Sequence, residues 1–197
     1  MVANTIKESH NKWLETPGKK GQKRNDTNIR VFLDKEDLFF DKWDLLRYQS
    51  VDDRLIPSNI YDSLISFIPR LKNIEYAKLY PEQQTGDGSI EHPFQMPFYE
   101  YADVVHEFEK EVYKFEKDHP EFQLNTYNNI FLMNGLRWDE EVMTKADVSN
   151  ANGQVVMALI LGAIRAERFC DGTLKDFLEL GCIEKWLLRL QEIASKI

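Results

Sequence analysis

Ten consecutive residues without a charged or hydrogen-bonding side chain, VVMALILGAI, run from Val155 to Ile164. On a helix, apolar side chains would cover every face of this run, so it must be surrounded by protein or by lipid. The run ends at Arg165, whereas a membrane-spanning helix needs roughly 20 apolar residues. A buried strand is the alternative, but the pattern extends over about 150–170 and so favours a helix in the core.

The ends and the middle of this predicted helix contain residues with expected structural roles. Asp147, Ser149 and Asn150 are candidates for its N-terminal cap, because short polar side chains accept hydrogen bonds from free helix amides. Gly172 suits the position after its end, where a left-handed backbone is common. Gly162, in the middle, costs about 1 kcal/mol relative to alanine, which predicts that a crossing helix packs closely there.

Amphipathic patterns predict further helices on both sides of the apolar run. They fall at about 34–48, 58–68, 98–118, 126–134, 138–145, 173–180 and 183–193. In the longest of them, 98–118, apolar residues recur at helical spacing and the outer face is acidic. The sequence therefore predicts a mainly α fold, a helical bundle around a buried central helix at about 150–170.

Two regions carry strand signals. Residues 28–33 alternate weakly between apolar and polar side chains, and 74–80 contains strand-like aromatic residues. Between 81 and 97, three prolines and two glycines exclude a helix and predict an exposed loop that contains a hairpin. We expect a small β-hairpin or short strand pair from these segments, beside the helices.

The composition is that of a folded, acidic protein. Of the 197 residues, 43% are apolar and 12% aromatic, which is enough for a core, and the net charge is −8. This charge argues against wholesale binding to nucleic acid or to anionic membranes. The first residues lack the apolar core of a signal peptide and no segment is long enough to span a membrane, so we expect a cytoplasmic protein without membrane contact.

Residues 1–30 differ from the rest because they are basic, with seven lysines and arginines against three acids. We therefore divide the chain into an N-terminal basic extension, 1–50, with a short helix and a strand, and a helical domain, 51–197. The densest basic cluster consists of Lys19, Lys20, Lys23 and Arg24. Contact with a phosphate backbone is one interpretation of this cluster, and a solvated linker is the other, which the acidity of the whole chain favours.

A charged cluster directly follows the apolar run. Arg165 and Arg168 are three residues apart and share one helix face at the end of the buried helix. Because buried charges need partners, one interpretation pairs these arginines with Asp147, Glu167, Asp171 or carbonyls at helix ends. The other is a pocket for an anion or a carboxylate, at which the two guanidinium groups converge.

The histidines do not form a metal motif. His92, His106 and His119 are 14 and 13 residues apart, not the four that place two imidazoles on one helix face for zinc. Motifs for a nucleophile or a nucleotide-binding glycine loop are also missing, so we predict no catalytic residue, no metal and no cofactor. The two cysteines, twelve residues apart, are expected to be free and buried.

Two short motifs carry a family resemblance. The first contains Arg165, Glu167, Arg168, Phe169, Asp171 and Gly172, and the weaker second one contains Met96, Pro97, Phe98, Tyr99 and Tyr101. Together they resemble an uncharacterised bacterial and phage family, the domain of unknown function number 6508, over about 60–197. The resemblance implies a small helical domain, and it implies no activity and no catalytic residues.

Three functional hypotheses follow. The favoured one is a non-catalytic binding or regulatory module, whose partner is an unknown protein or a second copy of the chain. Its expected contact surface combines the 81–97 loop with Arg165, Arg168, Asp171, His92 and Tyr99. One alternative is an enzyme acting on a small anionic substrate, with the arginines as a clamp and His92 or His106 as the base. The other alternative is nucleic-acid contact through residues 19–24.

Overall fold

The computed structural model describes residues 48–81 and 85–196. Over these residues the chain is mainly helical with one small antiparallel sheet, as the sequence predicts. The predicted helix at 34–48, apart from its last residue, the predicted strand at 28–33 and the basic cluster at 19–24 lie outside the described residues. Their division into a separate extension, 1–50, therefore stays a prediction.

The described elements follow one another in this order. Two 3-10 turns, Asp53–Leu55 and Ser58–Tyr61, lead into the short helices α1 (Asp62–Ile65) and α2 (Phe67–Arg70). The strands are β1 (Ala77–Tyr80) and β2 (Phe98–Tyr101), and the long helix α3 is Asp103–Asp118. Two further 3-10 turns, Pro120–Phe122 and Leu124–Thr126, precede α4 (Tyr127–Met133) and α5 (Glu140–Thr144). The last helices are α6 (Gly153–Ala166), α7 (Thr173–Glu179) and α8 (Cys182–Ala194).

The apolar run forms the central helix α6, which packs against α3, α4, α7 and α8. Every residue from Gly153 to Ile164 is buried, which confirms the predicted core helix and excludes the strand. The burial is possible because the surrounding helices each contribute an apolar stripe, such as Val105, Phe108 and Val112 on α3.

The predicted ends of α6 are wrong. None of the expected caps is used: Asn152 caps the helix, and its side chain accepts a hydrogen bond from the Val155 amide at 3.0 Å. At the other end the helix stops at Ala166. Gly172 does have a left-handed backbone, with φ of 91°, but it directly precedes α7 and does not directly follow α6. Residues 167–172 form the turn between the two helices, so Gly172 lies six residues after the end of α6 and directly before α7.

Gly162 lies where α4 and α5 approach the central helix, which confirms the predicted close contact. A β-carbon at this position would be 3.0 Å from the Phe131 ring and 3.2 Å from the Met143 methyl group, so a side chain would displace its neighbours. The Gly162 carbonyl also accepts a hydrogen bond from Trp138 Nε1 at 2.9 Å. The missing side chain therefore permits a close approach that offsets the low helix propensity of glycine.

The prediction of one helix over 98–118 is wrong at its start, where the structure has strand β2. This strand pairs antiparallel with β1, from Ala77 opposite Tyr101 to Tyr80 opposite Phe98, and an isolated bridge joins Thr85 to Gln95 nearer the tip. Aromatic residues suit both the helical spacing and a strand, so the pairing with β1 decides between them. The expected strand pair is confirmed, and we call residues 77–81 and 85–101 the hairpin arm.

The two cysteines are free, but their environments differ. Cys182 is buried as predicted, and burial raises the pKa of its thiol because the thiolate is disfavoured away from water. Cys170 is exposed, against the prediction, because it lies in the turn between α6 and α7 and not on a core-facing helix stripe.

Candidate functional site

The carboxyl end of α6 carries Arg165, which is held by the long helix α3, and Arg168 lies in the turn that follows. The Nη2 of Arg165 donates to both carboxylate oxygens of Glu116, at 2.7 and 2.9 Å. The two side chains are only 21% and 17% exposed, and the guanidinium carbon lies 5.3 Å from the centre of the Tyr127 ring. Arg165 therefore ties α6 to α3 through an acid that the sequence interpretation did not name.

Arg168 makes a more exposed contact, also with α3. Its Nη2 donates to the Tyr113 hydroxyl at 2.9 Å, and its guanidinium carbon lies 5.7 Å from the centre of that ring. None of the carboxylates in the described ranges forms an ion pair with it. The two arginines thus have separate partners, Glu116 and Tyr113, and the anion pocket between them stays a prediction.

Glu167, between the arginines, caps the start of α7. Its carboxylate accepts hydrogen bonds from the Gly172 amide at 2.9 Å and the Leu174 amide at 2.8 Å, and amides at a helix start have no partner within the helix. The Tyr101 hydroxyl accepts from the Lys175 amide at 3.1 Å. Burial and then the nearby Glu167 carboxylate raise the pKa of Tyr101.

Asp171 and Gly172 hold the neighbouring residue of strand β2. The Asp171 carboxylate accepts a hydrogen bond from the Tyr99 amide at 3.0 Å. A β-carbon on Gly172 would lie 2.7 Å from the Tyr99 ring, so this ring packs directly on the glycine backbone. On the same ring, the Lys175 ammonium group lies 5.4 Å from the centroid. The structure therefore brings Tyr99 and Asp171, two of the predicted contact residues, into direct contact.

These contacts explain the pattern of the C-terminal motif in structural terms. Arg165 and Arg168 fasten the end of α6 and the turn after it to α3. Glu167 fastens this turn to the start of α7, and Asp171 and Gly172 fasten it to the base of the hairpin arm. The sequence interpretation missed the partners on α3. Glu116 and Tyr113 are three residues apart and so share a helix face, but nothing in their local pattern identifies which charged turn they meet.

A groove of about 710 Å³ lies between α3 and the carboxyl end of α6. Its lining includes Arg168 and Lys110, the imidazole of His106, and four carboxylates, which belong to Asp103, Glu107, Glu109 and Glu167. His106 Nδ1 is 3.0 Å from Glu109 Oε2, and Glu107 pairs with Arg70. The groove therefore joins one histidine to one arginine, in surroundings that repel an anion overall. Among the residues that the structure describes, no group of three potential ligands is placed to hold a metal ion.

His92 lies apart from this groove, in the hairpin arm. The residue is exposed, its amide donates to Ser89 Oγ at 3.0 Å, and its carbonyl accepts from the amides of Asp87 and Gly88 at 3.0 and 3.1 Å. These bonds form the turn at the tip of the arm. His92 is not among the residues that line the groove with Arg168.

The hairpin arm exposes an unusual share of the apolar surface. Ten large apolar residues of the described ranges are exposed, and six of them lie between 79 and 98. These six are Leu79, Tyr80, Ile90, Phe94, Met96 and Phe98. The sequence interpretation included the 81–97 loop in the contact surface but did not single out these side chains. The signal was the placing of Ile90, Phe94 and Met96 among the polar residues of that loop. None of the described helices is long and apolar enough to cross a membrane.

Comparison with known protein families gives one match. The family of unknown function DUF6508 matches residues 56–196, which is well over half of the sequence. The chain belongs to this family. The match confirms the resemblance and extends its predicted start from about 60 to 56. No curated protein and no solved structure matches the chain.

Proposed function

We propose that this DUF6508 domain is a non-catalytic binding module that docks a protein partner through the hairpin arm. The observation that carries the proposal is the exposure of apolar side chains on the arm, where Met96 and Phe94 are 66% and 59% exposed. Exposed apolar surface is unfavourable in water by about 25 cal/mol per Å², and a contiguous patch of it is typical of an interaction site.

The attachment of the arm supports the same proposal. Its solvent face carries Tyr80 and Phe98, which are directly paired across the strands with ring centroids 5.9 Å apart. Its other face is fixed to the α6–α7 turn through Tyr99 and Tyr101. An apolar face on a fixed support is pre-organised, so a partner would bind it with less loss of conformational entropy.

The test replaces apolar residues on and off the arm. In the full chain, the arm variant combines Phe94→Ser with Phe98→Ser and so removes two exposed aromatic rings from the arm. The matched control combines Leu180→Ser with Leu188→Ser and removes two exposed apolar side chains from the α7–α8 region. Partners are collected from the source cell by proximity labelling, and their affinities are then measured with purified proteins. We expect the arm variant to lose at least tenfold in affinity and the control to lose none; equal affinities for both variants would contradict the proposal.

A second candidate function is an enzyme acting on a small anionic substrate. The groove supports it to the extent that His106 and Arg168 line the same cavity, while the four carboxylates there count against it. Thermal stability in the presence of inorganic phosphate or a small dicarboxylate distinguishes the candidates. A rise in Tm that disappears in Arg168→Ala would favour the enzyme, and the binding module predicts no rise.

The remaining hypotheses concern the basic N-terminal cluster, the location and origin of the protein, and the identity of the partner. Nucleic-acid contact through Lys19, Lys20, Lys23 and Arg24 stays a prediction, tested by salt-dependent retention of the full chain on DNA or RNA. A cytoplasmic location and a bacterial or phage origin also stay predictions. Self-association remains an alternative partner choice for the arm, and the molar mass in solution decides it.

A further inference from the structure

The two outer edges of the β1–β2 sheet are covered to different extents. The Ala102 amide donates to the Tyr76 carbonyl at 2.9 Å, which marks this pair as hydrogen-bonded. Because bonded and non-bonded pairs alternate in an antiparallel sheet, the Leu79–Tyr99 pair turns its N–H and C=O groups outward. On β2 the outward amide of Tyr99 is taken by Asp171 at 3.0 Å.

On β1 no described residue covers the corresponding backbone groups. Among the residues that the structure describes, none forms a hydrogen bond with the outward N–H or C=O of Leu79. Leu79 is itself 39% exposed. An uncovered strand edge is a template for a further strand, because its free donors and acceptors match those of an extended chain.

The charge around this edge specifies the partner further. Between Glu75 and Glu100 the described residues carry four carboxylates, those of Glu75, Asp87, Glu91 and Glu100, against the single ammonium group of Lys78. Lys78 also lies 3.3 Å from Glu75, so its charge is partly compensated. The arm therefore presents free backbone groups and apolar side chains in a negative field, which favours a cationic partner.

We propose that β1 takes up an extended segment of a partner protein as a third strand, and that this segment alternates apolar and basic residues. The hydrogen bonds of strand addition give affinity, and alternate side chains give specificity. Alternate apolar side chains of the segment lie on the face of Tyr80, beside its cross-strand partner Phe98, and the basic side chains place positive charge in the negative field of the arm. The proposal rests on the proposed function, because it states how the arm binds.

The probe is the synthetic peptide acetyl-KVKVKVK-amide, added to the full chain labelled with nitrogen-15. We expect saturable shifts of the Ala77 and Leu79 amide signals, and no shifts with acetyl-EVEVEVE-amide. Two further peptides carry N-methyl groups on all valines or on all lysines. Since each edge of a strand uses the N–H groups of alternate residues, only one of these two should lose binding at least tenfold. If both methylated peptides keep their affinity, or if the unmethylated peptide shifts neither amide signal, strand addition is overturned.

A pair of variants tests the same edge from the protein side. Leu79→Pro removes the outward N–H and keeps the inner pairing, as proline is tolerated on an open edge; Leu79→Ala shortens the side chain and keeps the N–H. We expect both variants to keep the Tm of the wild type. The proline variant should lose tenfold in affinity for the lysine–valine peptide, and the alanine variant should lose none. Equal affinities of the two variants for this peptide would overturn the proposal.

Two other outcomes separate this proposal from the proposed function. If a natural partner needs Phe94 and Phe98 but the lysine–valine peptide does not shift Leu79, the binding module stands and strand addition is wrong. If Leu79 is already protected from hydrogen exchange and the chain is dimeric, a second copy covers the edge, and the foreign segment is excluded.

Discussion

The two ends of the central helix α6 are held by different chemistry. At the amino end Gln154 is fully buried, and its amide makes four hydrogen bonds. The side-chain oxygen accepts from the Tyr48 hydroxyl and the Val51 amide, both at 3.2 Å. The side-chain nitrogen donates to the carbonyls of Gln49 and Phe122, at 3.1 and 2.9 Å.

The carboxyl end uses charged groups, of which Arg165 and Glu167 are half-buried and Asp171 is exposed. Arg165, Glu167 and Asp171 bond to α3, to the start of α7 and to strand β2. The difference follows from desolvation: a neutral amide can be fully buried if all its bonds are made, whereas a buried ion costs far more. We infer that the amino end is a rigid clamp on residues 48–51, and that the carboxyl end is a weaker, ionic support for the hairpin arm.

Replacing Gln154 should have the largest effect on stability. Gln154→Leu keeps the volume but leaves the Phe122 carbonyl and the other partners without their bonds. Each orphaned buried group costs roughly 1–3 kcal/mol, so the free energy of unfolding should fall by about 4 kcal/mol in urea titrations. Gln191→Leu, at an exposed position of α8, is the control and should change it by less than about 0.5 kcal/mol. A small effect at Gln154 would show that the amino end is not a clamp.

Gly172 should have the next largest effect, on the support of the arm. Alanine there combines a left-handed backbone with a β-carbon 2.7 Å from the Tyr99 ring. Gly135, with φ of 71° and nothing within 4 Å of the added carbon, gives the backbone cost alone. We expect Gly135→Ala to lower the free energy of unfolding by about 1 kcal/mol and Gly172→Ala by about 3 kcal/mol, since the ring must move. Equal losses would mean that the ring adapts without cost.

The ion pair at the carboxyl end should contribute less. Arg165→Met leaves Glu116 partly buried without its partner, and should cost about 2 kcal/mol. Lys145→Met breaks the exposed pair with Glu141, whose side chains are 73% and 77% exposed, and should cost less than about 0.5 kcal/mol. Chemical unfolding of both variants measures the two values. A cost at Arg165 above that of Gln154→Leu would reverse the ranking of the two ends.

The smallest effect concerns Asp53, which accepts from the Gly153 amide at 2.9 Å at the amino end. Burial raises its pKa above the ordinary 3.8, although that hydrogen bond and Arg189 oppose the shift. Because the folded-state pKa is the higher one, the stability from this carboxyl group is present below about pH 3.8 and is lost as the pH rises through the folded-state value. An asparagine side chain at this position would accept the same bond without titrating.

The Asp53→Asn variant tests this pH dependence. Its Tm relative to wild type should therefore become more favourable between about pH 4 and pH 7. Thermal unfolding at several pH values measures the difference. A constant difference across that range would show that the pKa of Asp53 is the same in the folded and unfolded chains.

Local pattern was sufficient for the core and insufficient for the site. The apolar run identified α6, and the low helix propensity of Gly162 identified a close contact, because both signals lie within a few residues. Partners such as Glu116 for Arg165, or the Tyr99 amide for Asp171, lie 49 and 72 residues away. Many acids of this chain are equally plausible partners by composition, so spacing could not select among them.

Sequence alone determined that a fully apolar helix needs a shell of helices, and that the chain resembles the DUF6508 family. Tertiary structure decided that Phe98–Tyr101 is a strand and not the first turn of α3, and that Gln154 is a buried clamp. It also decided that Asp171 covers one edge of the sheet, while no residue of the described ranges covers the other. The physical reason is the separation along the chain over which each interaction acts. Burial follows from local hydrophobicity, whereas a hydrogen bond or strand pairing depends on which distant group the fold brings within about 3 Å.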